Sequence, residues 1–194
     1  MPTLVHEFDW PDRVVVGTVG RPGERTFYLQ ARTGKRMTSV ALEKQQSAVL
    51  AASVAQLLDT LAAQEDGLSI PAEAPPELVD DGPLDQPVEE DFRIGEIHLS
   101  WDPRTLQVLI EAFPVDDDPA DPDDPIHPAD LDDGDEPSEM LRVRMPVGTA
   151  RAFVERTLAV VEAGRPLCPR CGEPIDPDGH DCAALPDDEQ SGAA

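Results

Sequence analysis

The chain has no cysteine before residue 168, only two lysines, and few aromatic residues, with one Tyr, two Trp and five Phe making up 4% of 194 residues. A core must therefore be assembled from Val, Leu, Ile and Ala. No run of 18 apolar residues occurs, so no membrane span is expected. The opening residues lack the basic stretch followed by an apolar one that marks a secretory signal, and a cytoplasmic location is expected. Three cysteines cannot all pair within one chain, and a reducing compartment keeps their thiols available to a metal. Also missing are the G-x-S-x-G elbow, the P-loop, G-x-G-x-x-G and H-E-x-x-H, so no familiar catalytic apparatus is indicated.

What is abundant is negative charge, a net -25. It is concentrated. Residues 66–92, 116–139 and 173–190 hold 9, 12 and 7 acidic residues, 28 of the 40, and contain no Lys or Arg. Subtracting them leaves 12 acids against 15 bases, about +3. Such proline-rich, self-repelling segments are expected to be mobile. An anionic halo of this kind argues against nucleic acid as a partner, because it opposes the approach of phosphates.

Between the acidic segments the pattern repeats. Arg13-Val14-Val15-Val16-Gly17-Thr18-Val19 is echoed by Arg93-Ile94-Gly95-Glu96-Ile97. Each is followed by an Arg-Thr pair (Arg25-Thr26, Arg104-Thr105) that opens an alternating strand, 26–32 or 106–113. Third strands follow at 36–42 and 140–147. Helices are expected over 44–64, with Leu50, Val54, Leu57, Leu58 and Leu61 on one face, and over 149–163, with Phe153, Val154, Leu158 and Val161. The reading is an α+β fold in which two βββα units share an antiparallel sheet of about six strands, helices on one face. The organisation is a first unit at 1–65, an acidic Pro-rich linker at 66–92 and a second unit at 93–163 with an acidic disordered insertion at 116–139. A metal-binding knuckle at 164–183 and a disordered tail at 184–194 complete it.

The knuckle carries the sharpest chemistry. Cys168 and Cys171, followed by His180 and Cys182, supply four ligands of the kinds zinc prefers. Gly172 permits a tight turn after the second thiolate, and four protein ligands close a tetrahedron, so the expected metal is one structural zinc ion with no open position for substrate. The alternative is a tail of unligated thiols.

Several stretches together resemble a conserved family of unknown function from high-GC Gram-positive bacteria. They are His6-Glu7-Phe8, Val14 to Gly17, Thr26 to Gln30, Val40 to Gln46 and the Cys168-Pro169-Arg170-Cys171-Gly172 ending. That resemblance implies no activity. The C-P-x-C-G start looks like the first knuckle of a zinc ribbon, although His180-x-Cys182 stands where a ribbon has a second C-x2-C.

A weaker constellation lies on the strands. Alternation places Arg32, Arg142, Arg144 and His98 opposite the apolar side. If they share a face, their guanidinium forks match a phosphate or carboxylate. The competing account is an ordinary solvated sheet face. His6, Glu7 and Asp9 have no partner nameable from sequence, and the acidic run 130–136 lacks the full calcium-loop pattern. The functional expectation is a non-catalytic zinc-binding module for a protein partner. The alternative is a small enzyme or binding protein for an anionic small molecule.

Overall fold

A computed structural model of the chain describes residues 3–21, 23–64, 69–115, 139–163, 168, 170 and 171. Seven strands and two helices form an α+β fold. The strands are β1 (Leu4–Asp9), β2 (Arg13–Val19), β3 (Thr26–Thr33), β4 (Arg36–Leu42), β5 (Ile94–Asp102), β6 (Gln107–Pro114) and β7 (Glu139–Pro146). Helix α1 (Lys44–Gln64) follows β4, and α2 (Val147–Glu162) follows β7. Both βββα runs expected from sequence are present, with bounds within a few residues.

One expectation is corrected. In place of a single six-stranded antiparallel sheet there are two sheets, ordered β2-β3-β4 and β1-β7-β6-β5. Strand β1 leaves its own half and pairs parallel to β7, Phe8 against Val143. The reason lies in Phe8, which is fully buried. Beside Val143 it joins a core that draws Val14, Leu29 and Val40 from the smaller sheet and Ile110 and Leu141 from the larger. Burying one such side chain contributes roughly 2–3 kcal/mol, enough to direct a six-residue strand.

The sheets meet at two corners. Residues 91–93 run beside β4, where Ala41 N–H donates to the Phe92 carbonyl and Asp91 N–H to that of Ser39, both at 2.9 Å. The same segment continues into β5. At the other corner the Arg36 guanidinium donates to the Glu7 carbonyl of β1 and lies 4.4 Å over the Phe8 ring.

The helices pack on each other and on the same core. Gln46 begins α1 by accepting the Glu43 N–H at 2.8 Å, the return arm of a capping box. Leu50, Val54, Leu58 and Leu61 are its buried side. By length and composition α1 is apolar enough to cross a membrane. A search for unbroken apolar runs overlooks it, because Ser53, Gln56, Asp59 and Thr60 interrupt the pattern. Arg151 of α2 is nearly buried and holds Asp59 of α1 at 2.9 Å and the Pro71 carbonyl at 3.0 Å.

The acidic segment after α1 behaves differently from expectation. From Ser69 to Phe92 it is a strap that first follows α2, where the Pro71 carbonyl accepts from Arg151 and Ala74 N–H donates to Glu155, and from Asp80 onward crosses the outer face of β2-β3-β4. Leu84 is buried against Gly17, where a Cβ would come within 2.6 Å of the Leu84 Cγ. The self-repulsion that argued for mobility is offset because the sheet presents Arg13 and Arg32 to Asp80 and Asp85. The insertion at 116–138 lies outside the described residues.

Candidate functional site

Of the four proposed metal ligands, two are described. Cys168 is buried and Cys171 half-buried, beyond the end of α2. His180 and Cys182 lie outside the described residues. Among the described residues no three His, Cys, Asp or Glu side chains converge as a metal site would require.

The proposed anion-binding residues divide between the two sheets. In β7, Leu141, Val143 and Met145 point into the core, so Arg142 and Arg144 occupy the outer face. Register places Glu7, Arg142, Glu111 and His98 in one row across β1, β7, β6 and β5. Arg142, Arg144 and His98 thus share a face. Each already has a partner: Arg142 donates from Nε to Glu111 at 2.9 Å, Arg144 pairs with Glu7, and His98 meets Glu96 at 2.8 Å. His98 also lies edge-on to Phe113, with ring centroids 5.0 Å apart. Arg32 is on β3 in the other sheet, where its Nε donates to Asp85 at 2.9 Å.

The strap closes a polar network that sequence reasoning missed. Asp80 accepts from Arg13 Nε at 2.6 Å and Nη2 at 3.0 Å, and its Oδ1 also lies 3.2 Å from Arg156 Nη1. Arg156, on α2, donates besides to the carbonyls of Val16 (3.0 Å) and Gly82 (2.7 Å). Both guanidinium groups are about nine-tenths buried. Hydrogen bonding to Arg13 holds the Asp80 carboxyl below the usual aspartate range. The same bond outweighs burial and raises Arg13. Burial lowers Arg156, with repulsion from Arg13 adding to it and Asp80 opposing. Two buried like charges are tolerated because one carboxylate and several carbonyls converge on them. The sequence signal was Asp80-Asp81-Gly82: Gly82 N–H donates to the Asp80 side chain at 2.9 Å, a turn that Asp favours.

Farther along the strap, the Asp85 N–H donates to Gln30 Oε1 at 2.8 Å, Gln30 Nε2 donates to the Asp85 carbonyl at 3.1 Å, and Ser39 N–H donates to Asp91 Oδ2 at 2.9 Å. Gln30 is almost fully buried, so its amide needs partners throughout; Nε2 also donates to Ser39 Oγ at 3.0 Å. His6 acquires partners as well, Thr38 Oγ1 at 3.2 Å and Glu139 Oε2 at 3.3 Å. Thr38 is buried, whereas the His6 and Glu139 side chains keep 19% and 26% of their surface exposed, so this hydroxyl–imidazole–carboxylate line joins the two sheets and is partly open to solvent at its imidazole and carboxylate.

Beside the Arg13–Asp80–Arg156 network opens a cleft of about 500 Å³ between β2, α2 and the strap. Val14, Leu78, Val79 and Phe153 line it together with Asp12, Glu77 and Asp81.

The profile of one family, described as proteins of unknown function (DUF3090), matches residues 6–182. The chain belongs to the DUF3090 family. No curated protein and no solved structure matches it. The DUF3090 match takes in both sheets, the strap, both helices and all four Cys/His positions from Cys168 to Cys182.

Proposed function

We propose that this DUF3090 protein is a non-catalytic adaptor whose C-terminal segment binds one structural zinc ion through Cys168, Cys171, His180 and Cys182, and whose packed body presents surfaces to a protein partner. The observation that carries the reading is the Cys168-x2-Cys171 pair just past α2, with Cys168 buried. Thiolates at this spacing, with an imidazole and a third thiolate following within eleven residues, suit a closed tetrahedral site that supplies folding energy to a segment short of apolar residues. The body supports the reading too. Its buried Arg13, Gln30 and Arg156 are engaged in holding the strap.

The test is affinity purification of the intact chain beside a Cys168→Ser/Cys171→Ser variant. A partner retained by the first and lost by the second, with the fold unchanged by circular dichroism, is the expected result. Equal capture by both would remove zinc from the interaction.

A second reading is a site for a phosphorylated or carboxylated small molecule on the outer face of the larger sheet. It is favoured by the shared face of Arg142, Arg144 and His98. It requires a ligand oxyanion to displace Glu111 or Glu7 from its arginine. If Arg142→Gln/Arg144→Gln leaves the thermal shift produced by inorganic phosphate unchanged, this reading fails.

A further inference from the structure

The cleft beside Arg156 is built from two kinds of surface. Val14, Ala152 and Phe153 are buried apolar walls, whereas Leu78 and Val79 are 39% and 53% exposed, two of the exposed large apolar side chains among the described residues. Exposed apolar side chains bordering a concavity mark a binding surface more often than scattered ones do.

Its charges are unequally matched. Arg13 and Arg156 bring two positive charges, but their donors are turned to Asp80 and to the carbonyls of Val16, Gly82 and Pro83. The one donor atom of the pair without a hydrogen bond, Arg13 Nη1, is buried and lies 3.3 Å from Asp85. Most of the pair's donors are thus already turned to acceptors of the protein itself. The carboxylates are different. Among the described residues Glu77 and Asp81 have no hydrogen bond or ion pair, although Asp81 attracts Arg156 through space. Asp12 accepts the Gly34 N–H at 2.7 Å and stands 4.0 Å from Arg32. The lining sets Asp12, Glu77, Asp80 and Asp81 against Arg13 and Arg156, so the cleft carries net negative charge beside its apolar residues.

We infer that this cleft docks a partner-protein segment in which a Lys or Arg side chain stands next to an apolar one, the apolar group against Leu78, Val79 and Phe153 and the cation against Glu77 and Asp81. This rests on the adaptor reading and names the chemistry of its partner. Charge complementarity selects the occupant: an acidic segment would meet uncompensated carboxylates, and a purely apolar one would leave them desolvated.

The probe is a short fluorescein-labelled peptide alternating leucine and arginine, titrated with the full chain and followed by anisotropy at about 0.15 M salt. Saturable binding is expected, weakened about tenfold in Glu77→Gln/Asp81→Asn, the equivalent of two modest ion pairs. Val79→Ser should weaken it about threefold or more through lost apolar burial. Neutralising the same number of exposed charges elsewhere, Glu24→Gln/Glu162→Gln, should change it less than about twofold. Absence of saturable binding, equal weakening by both charge pairs, or equal affinity for a leucine–glutamate peptide would overturn the inference. Because the titration reports the cleft alone, its failure leaves the adaptor reading to the purification experiment, and binding that survives Cys168→Ser/Cys171→Ser leaves the cleft independent of zinc.

Discussion

Arg13 and Asp80, 67 residues apart in sequence, meet in a two-pronged ion pair with contacts of 2.6 and 3.0 Å. Arg13 opens β2 and Asp80 sits in the strap, so the pair fastens the acidic segment to the smaller sheet. Arg156 reaches the same carboxylate from α2 and ties the second half of the chain to both. The fold thus converts part of its excess negative charge into cross-links.

Replacing Asp80 with Asn should destabilise the fold by about 2–3 kcal/mol. The substitution keeps the shape but leaves two buried guanidinium groups without their shared anion. The carboxylate is a third exposed, which keeps the effect below that of a fully buried pair. Urea unfolding measures it, and a change under about 0.5 kcal/mol would assign the strap's attachment to Leu84 instead.

The same carboxylate gives a pH dependence of known sign. Its folded pKa is depressed, so the unfolded chain takes up the proton first as pH falls. The stabilisation is complete above the ordinary aspartate value of about 3.9 and is lost as pH falls through the lower folded value. The stability gap between the native chain and Asp80→Asn should therefore be constant from about pH 7 to 5 and shrink below about pH 4. A gap that widens on acidification would show that another group governs the network.

Gly17 and Leu84 should be energetically coupled. Gly17→Ala places a methyl within 2.6 Å of Leu84 and should cost about 1–3 kcal/mol, while Leu84→Ala should cost about 2–3 kcal/mol by opening a cavity. The double variant should cost less than the sum by about 1 kcal/mol, since the new methyl enters the vacated space. Strict additivity in urea unfolding would mean the strap does not seat at Gly17 in solution.

Much of the fold was legible because its elements are strongly patterned. The Val14 to Val16 run, the alternation Phe27, Leu29, Ala31 and the Leu50, Val54, Leu58 stripe each fit one period, and all became the elements they suggested. The pairing of β1 was not legible. Leu4–Asp9 mixes exposed Leu4 with buried Phe8, and its partner Val143 lies beyond an acidic insertion. The strap was misread for a related reason. Composition registered nine acids and no base within 66–92, but the neutralising Arg13, Arg32 and Arg156 come from elsewhere in the chain. Of the sheet-face residues, alternation correctly grouped Arg142, Arg144 and His98, because register keeps side-chain phase across β5, β6 and β7. It could not separate Arg32, since phase says nothing about which sheet a strand joins.

Phe8→Ala should release β1. Loss of a fully buried ring costs about 3–4 kcal/mol, and β1 is an edge strand held by β7 on one side and the Arg36 contact on the other. Hydrogen exchange should lose protection first at the amides of 4–9, with those of β2 and β3 affected only by global unfolding. Uniform loss across both sheets would make β1 integral to the folding core.

The proposed zinc ion at Cys168, Cys171, His180 and Cys182 is open to direct measurement. Elemental analysis of the purified chain, with circular dichroism before and after chelation, tests it most directly. One zinc per chain is predicted, together with sheet and helix signal that survives chelation while the segment beyond about residue 166 loses its order. Absence of stoichiometric zinc, or melting of the whole fold on chelation, would contradict it.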